Sequence, residues 1–300
     1  MFIASTLKGL EKVCCKEVNG KIVSDCRIGF EKKQEVRSAL VVYELVGYFK
    51  FKTLKDIVAK VRKLKIDIKG GFKAECNREG KHKFSSQEIK EGIGEIFYNK
   101  GFKVNLHEPE TIIYADIKDN SCFIGLNPCY CGKRAYRIRG GRQGLNATIA
   151  YALLRIADFK PENVLLDPFC NDGVILVEAG LLGGNNLYGL AEYLQNAKIH
   201  AHVAKVKVNL FNERDEFYKL FKKKGVDLII TQPGFYDGNG ITEMFSRAKT
   251  LLKKDGKIIV ISSKIGVIKK LAGKNGLKGR RRLKVVNGDI CYEIMEFKGA

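Results

Sequence analysis

The second half of the chain predicts an alternating α/β fold, a doubly wound sheet with both faces covered, and three observations carry that expectation. Short apolar runs recur from Val164 onward, and amphipathic stretches of helical period separate them. The resulting order, βαβαβαβαβ, packs most economically as a parallel sheet with helices on its two sides. Near the end, Asn287-Gly288 joins two β-rich pieces, and its type I′ preference predicts a closing antiparallel hairpin and seven strands in all. Residues 1–130 lack this alternation and read as α+β.

Each element has its own signal. Leu10, Val13, Cys14 and Val18 place an apolar stripe on a helix within Thr6 to Val18, and Gly29 to Tyr48 mixes charged, helix-like and β-rich pieces. Leu54 to Leu64 is helical again, with Lys60, Arg62, Lys63 and Lys65 on or beside it, a solvated face where phosphates can also rest. After Gly70-Gly71 come a strand from Phe72 to Arg78, a helix to about Tyr98, a strand from Phe102 to Leu106, and a hairpin of Thr111 to Ile117 with Ser121 to Leu126. Ser85 or Ser86 caps that helix, and Ser85 with Glu88 makes a capping box. The second half reads as a helix from Asn146 to Phe159, strands at Val164 to Asp167, Leu187 to Gly189, Val206 to Phe211, Asp227 to Thr231 and Lys257 to Ser262, and the closing pair Arg282 to Val286 and Ile290 to Phe297. Helices at Gly173 to Leu182, Glu192 to Ala204, Glu216 to Lys223 and Ile241 to Lys253 link the parallel strands. The expected units are 1–70, 71–130, a basic linker 131–145, and 146–300, with separate cores in the two halves.

Lysine and arginine number 54 against 33 acids, a net charge of +21, far beyond what solubility needs, so a polyanionic partner is expected. Lys81, His82 and Lys83 stand in one basic turn. Lys133, Arg134, Arg137, Arg139 and Arg142 crowd the linker, where arginine offers phosphate a planar fork. His82 has no carboxylate or hydroxyl at a fixed spacing, so it stabilises the turn or touches phosphate rather than acting as a base. No apolar run is long enough for a membrane span and the start lacks a cleavage site of signal-peptide form, so a cytoplasmic protein is expected. The nine cysteines are irregularly spaced, and Cys122, Cys129 and Cys131 lack the partners of a tetrahedral set; reduced thiols and no metal are expected.

The stretch from Asn163 to Ala179 organises the second half. Val164 to Asp167 reads as a buried strand, Val174 begins the returning helix, and the polar loop between them lies where a nucleotide-like ligand meets a helix N-terminus.

Thr6-Leu-Lys-Gly-Leu-Glu11, Gly80-Lys-His-Lys-Phe-Ser-Ser86, Phe123-Ile-Gly-Leu126, Ala135-Tyr-Arg137, Asp167-Pro-Phe-Cys170 with Gly173 and Glu178-Ala179, and Asp227-Leu-Ile-Ile-Thr-Gln-Pro-Gly-Phe235 occur in this order. Together they resemble the THUMP-domain RNA methyltransferases, which methylate the exocyclic N2 of guanosine in tRNA. The resemblance implies a Rossmann-like class I methyltransferase domain behind a ferredoxin-like and THUMP region, S-adenosylmethionine as cofactor, and tRNA held by its acceptor end. Asp167, Phe169, Asn171 and Gly173 become cofactor residues, with Asp167 accepting from the methionine amino group and the N–H groups near Gly173 facing its carboxylate. Glu192 is the substitute for the ribose acid, and Glu213 or Asp215 for the adenine-facing one. Gln232, Pro233 and Phe235 become the catalytic set: two carbonyl acceptors for the amine and a ring that stacks on the base. A monomer is favoured.

The chain departs from that family at three places. Asn171-Asp172 stands where Gly-Ser is usual, Gly189 is followed by Leu190 and Ala191 rather than an acid, and Gln232-Pro-Gly-Phe235 replaces Asn or Asp, Pro, Pro, aromatic. Asparagine tolerates left-handed backbone, and Asp172 is expected to cap the next helix, although its charge beside a carboxylate ligand costs on the order of 1 kcal/mol. The alternative reading is a THUMP-type tRNA-binding protein whose methyltransferase domain has become a scaffold.

Overall fold

A computed structural model describes residues 1–139, 144–234 and 238–299. The first half contains β1 (Phe2–Ser5), α1 (Glu11–Val18), β2 (Lys21–Ser24), β3 (Arg27–Phe30), β4 (Val41–Lys50), α2 (Leu54–Arg62), β5 (Phe72–Glu79), α3 (Ser86–Tyr98), β6 (Thr111–Lys118) and β7 (Ser121–Cys129). Its strands form one sheet in the order β2-β3-β1-β4-β7-β6-β5. The sheet therefore runs through the boundary expected near residue 70, because β4 pairs with β7 across it. A bidentate ion pair reinforces the join: Arg27 donates to both oxygens of Asp116 at 2.5 and 2.6 Å, and Tyr43 and Asn77 also donate to that carboxylate. Both charges are fully buried, so their attraction acts in a low-dielectric setting where either partner alone would be costly. Ser85 and Glu88 form the expected capping box of α3.

Phe102 to Leu106 is not a strand. It touches β5 only at a single bridge between Val104 and Phe72, after which Asn105 turns the chain by accepting from the backbone N–H groups of His107 and Glu108. The strands β1 and β2 have no counterpart in the sequence reading, since each is too short to show a period.

The second half contains α4 (Ala147–Ile156), β8 (Val164–Asp167), α5 (Val174–Leu181), β9 (Asn186–Leu190), α6 (Gln195–Val203), β10 (Asn209–Phe211), α7 (Arg214–Lys219), β11 (Val226–Thr231), α8 (Gly238–Leu251), β12 (Leu252–Ser262), α9 (Ile265–Lys274), β13 (Leu277–Asn287) and β14 (Ile290–Gly299). The order β10-β9-β8-β11-β12-β14-β13 is parallel through β12 and antiparallel in the closing hairpin. Period-two alternation explains its two cores: Leu165, Ile230, Ile259 and Ile261 face α4 and α5, while Leu166, Ile229, Ile258 and Val260 face α8 and α9. The helix α9 is an addition to the expected elements, and Ile265, Ile268 and Ala272 bury one face of it.

The two halves do not have fully separate cores. Leu7 and Leu10 belong to the same buried cluster as α4, α5 and the middle of β11. The backbone N–H of Val286 on β13 also donates to the carbonyl of Lys8 at 3.0 Å. The order of apolar residues within one element cannot show that a stripe serves a core built elsewhere.

Candidate active site

The strand order of the second sheet reverses between β8 and β11, since β9 and β10 extend to one side and β12 to the other. Such a switch point leaves a crevice at the carboxyl ends of the strands. Here those ends present Asp167 and Thr231. The Thr231 hydroxyl donates to Asp167 Oδ1 at 2.5 Å, and the Phe169 N–H donates to the same oxygen at 3.3 Å. Complete burial pushes the Asp167 carboxyl up to about 7 against the opposing pull of the Thr231 hydrogen bond. A buried acid of this kind is tuned to a cationic ligand, whose charge would favour its ionised form.

The polar loop after β8 forms as the sequence expects. Asn171 is left-handed at φ 47°, and Gly173 follows at φ 76°, where a Cβ would approach Ala197 Cβ to 2.9 Å. Gly173 is the residue before α5 and supplies no side-chain cap, which leaves the helix's first-turn N–H groups for an anion. Asp172 does not cap α5, contrary to expectation. It is buried, and Arg137 donates to its Oδ2 at 2.8 Å while also donating to the Leu145 carbonyl. The negative charge introduced into the loop is thus neutralised from the linker rather than left facing the ligand.

A cleft of about 420 Å³ opens beside the loop, lined by Pro168, Phe169, Asn171, Leu190, Glu192, Asn212, Arg214 and Gly234 among others. Phe169, Asn171 and Glu192, which the resemblance assigns to the cofactor, all line this cleft. Glu213 is exposed and does not line the cleft; its neighbours Asn212 and Arg214 do. An exposed residue beside a strand end can point either way, so spacing alone does not choose among these three. Gln232 follows the last residue of β11, and its Oε1 is buried with no hydrogen-bond partner among the described residues. Pro233 is buried, and a Cβ on Gly234 would meet none of the described residues within 4 Å. Phe235 lies outside the described residues.

The linker arginines divide by environment. Arg134 donates to Glu178 Oε1 at 2.9 Å and also to the carbonyls of Cys131 and Arg37, while Arg37 and Tyr136 donate to the same Glu178 carboxylate. Glu178 on α5 is fully buried, so these donors neutralise it and fasten the first half to the second. Arg134 and Arg137 are thus held inward, at odds with a role as free phosphate contacts, because burial of Glu178 and Asp172 demands cations. Lys81, Lys83, Lys133 and Arg139 are exposed. Arg142 lies outside the described residues. His82 bridges Arg78 and the Asp119 carbonyl, at 3.0 and 2.6 Å, and stacks on Phe84, which fits turn stabilisation.

No residue pattern signals His200. Its Nδ1 lies 2.9 Å from the Asp172 carbonyl and its Nε2 3.0 Å from the Arg139 carbonyl, so this buried ring links the loop after β8 to the linker. Cys129 and Cys131 lie with sulfurs 3.7 Å apart, while Cys122 is buried within the first-half core.

Comparison with known proteins agrees with both halves. A THUMP-domain profile matches residues 50–127, and an RMKL-like methyltransferase-domain profile matches residues 134–192. The chain therefore carries a THUMP domain followed by an RMKL-like methyltransferase domain. A tRNA (guanine(6)-N2)-methyltransferase of Archaeoglobus fulgidus is 31% identical over 61% of this chain, though the match spans only 54% of that relative. One of Methanocaldococcus jannaschii is 26% identical over 72% of this chain and 73% of its own length. The crystal structure of TrmN from Thermus thermophilus superposes with a TM-score of 0.77 at 21% identity, covering 100% of this chain and 99% of that one. The fold of that structure therefore extends over the whole of this chain.

Proposed function

We propose that this protein is an S-adenosylmethionine-dependent tRNA methyltransferase that modifies the exocyclic N2 amine of a guanosine. The observation that carries the reading is Gln232 Oε1, a buried acceptor with no partner among the described residues at the end of β11, one strand from the buried carboxyl of Asp167. An unpaired buried carbonyl costs about 1–3 kcal/mol, which a donor from a ligand would recover. The exocyclic amine of guanine is such a donor.

The residues fit the cofactor. Asp167 would accept from its ammonium group, the free N–H groups at the start of α5 would meet its carboxylate, and Glu192 on the cleft lip would meet ribose hydroxyls. Bound there, S-adenosylmethionine supplies an electrophilic methyl group. Gln232 and the backbone carbonyl of Pro233 hold the amine N–H bonds, so that the nitrogen lone pair is freed from the ring. Phe235 stacks on the extruded base. In this reading residues 1–70 and 71–130 hold the tRNA acceptor end, 131–145 connect, and 146–300 perform transfer. Lys81, Lys83, Lys133 and Arg139 are the exposed cations that would reach phosphate. The activities named for the two archaeal relatives support the same substrate class. Among the described residues no helix is long and apolar enough to cross a membrane. A cytoplasmic, monomeric enzyme completes the proposal.

Gln232→Ala tests it. Turnover on the tRNA pool of a strain lacking the protein should fall at least ~10-fold with tRNA affinity little changed, because the amide serves the reacting amine alone. Gln232→Asn with Gly234→Pro should keep activity similar or raise it. Absence of transfer by the parent, together with no cofactor binding at millimolar concentration, would establish the scaffold alternative instead.

A further inference from the structure

The seam between the two halves contains a second concavity that the methyl-transfer reading does not use. It measures about 340 Å³, and α1, the end of α4 and the edge strand β13 form its walls. Val13, Ile156 and Leu283 make an apolar floor, and four cations, Lys12, Lys16, Arg155 and Arg282, surround it. The single acid lining it, Asp158, pairs with Lys257 at 2.8 Å and attracts Arg282 and Lys16 at longer range, leaving the lining with a cationic excess. Arg282 is paired with the buried Glu296 at 3.2 Å. Lys12, Lys16 and Arg155 make no side-chain hydrogen bond or ion pair with any described residue. Charges along β13 by themselves would have a simpler explanation, since cations on an edge strand discourage pairing with another sheet. Convergence from three elements, two of them helices from different halves, is not covered by that explanation. Like charges held together over an apolar floor repel one another until an anion arrives.

We propose that this groove is a binding site for the phosphodiester backbone of RNA, contacted by Lys12, Lys16 and Arg155. The inference rests on the tRNA reading above and deepens it. The groove is open to solvent and rigidly built, for the Val286 N–H bond to Lys8 and the close packing of Gly9 on the Lys284 carbonyl fix α1 against β13. Its apolar floor suits a ribose, which a site for inorganic phosphate alone would not need. Position also matters. Arg155 ends α4, which runs about 15 Å back from the loop region at Asn146, so the groove lies toward the opposite end of the sheet from Asp167. It would hold a stretch of the RNA remote from the target base and thereby orient the molecule across both halves.

The test compares the parent with the triple variant Lys12→Gln, Lys16→Gln, Arg155→Gln, which keeps Arg282 because Glu296 needs it. Binding of an unmodified tRNA transcript is followed by fluorescence anisotropy from about 50 to about 300 mM KCl. Loss of three phosphate contacts should make the slope of log affinity against log salt shallower by roughly 2 to 3 and weaken binding at least ~10-fold near 100 mM. S-adenosylmethionine affinity should not change. An unchanged slope, with a parent that does bind tRNA in a salt-dependent manner, overturns the groove assignment and leaves the proposed function standing. A parent without salt-dependent tRNA binding removes both. Lysine acetylation footprinting on the unaltered protein gives a second readout: tRNA should protect Lys12 and Lys16. Protection by inorganic phosphate but not by tRNA would assign the groove to a small anion and overturn the proposal.

Discussion

Replacing Asp167 by asparagine gives a consequence that can be worked out from the buried carboxyl alone. Folding raises this acid from its ordinary 3.8 to about 7, because burial disfavours the charged form. Between those values the folded state binds a proton that the unfolded chain has released, so the group stabilises at low pH and loses that contribution as pH rises through 7. Integrating the binding difference, the contribution present at pH 5 is about 3 kcal/mol and is nearly gone at pH 8. The amide of the Asp167→Asn variant would not titrate, yet its carbonyl could still accept from Thr231 and Phe169, the two donors to Oδ1. The ligand-free variant should therefore gain on the parent as pH rises, by about 3 kcal/mol between pH 5 and 8, or roughly 5–10 °C in thermal midpoint. Differential scanning fluorimetry of both proteins over that range measures it. The cofactor should show the complementary trend: if Asp167 must be ionised to meet an ammonium group, parent affinity should be about tenfold weaker at pH 6 than at pH 8. A midpoint difference that does not change with pH would refute the shifted carboxyl and the reasoning built on it.

Two further outcomes follow from the linker contacts. Glu178→Ala should destabilise the protein by about 3–5 kcal/mol in chemical denaturation, because Arg37, Arg134 and Tyr136 all lose their shared acceptor in a buried site; a loss under about 1 kcal/mol would show that the halves are held by packing alone. Lys133→Ala with Arg139→Ala should reduce the salt dependence of tRNA binding without lowering stability, whereas Arg134→Ala should lower stability first, and the reverse pattern would contradict the inward placement of Arg134.

Much of the second half is legible in the sequence because its signals are local. The strand before Asp167 ends in a turn whose glycine must be left-handed, and Asn171 tolerates the same geometry, so residue types alone place the loop. The alternation of apolar residues in β8, β11 and β12 likewise announces a sheet covered on both faces. The loop's charge balance is not local. Asp172 has the residue type of a helix cap or a liability, and only the fold brings Arg137, far from it in the chain, close enough to neutralise it. The linker cations behave similarly: residue type suggests phosphate contacts for all of them, but buried acids on α5 and in the loop engage Arg134 and Arg137.

The sequence by itself determined the period of each long element, the turn chemistry around Asn171, Gly173 and Asn287-Gly288, and the charge that calls for a polyanion, since each depends on neighbouring residues or on totals. Tertiary structure decided which cations are free, that β1 through β7 make one continuous sheet, that Leu7 and Leu10 complete a core belonging to the other half, and that Lys12, Lys16 and Arg155 meet around one groove. The physical reason is common to these cases. Burial and charge pairing depend on distances between residues far apart in the chain, and a periodic pattern states which face is apolar without stating what covers it.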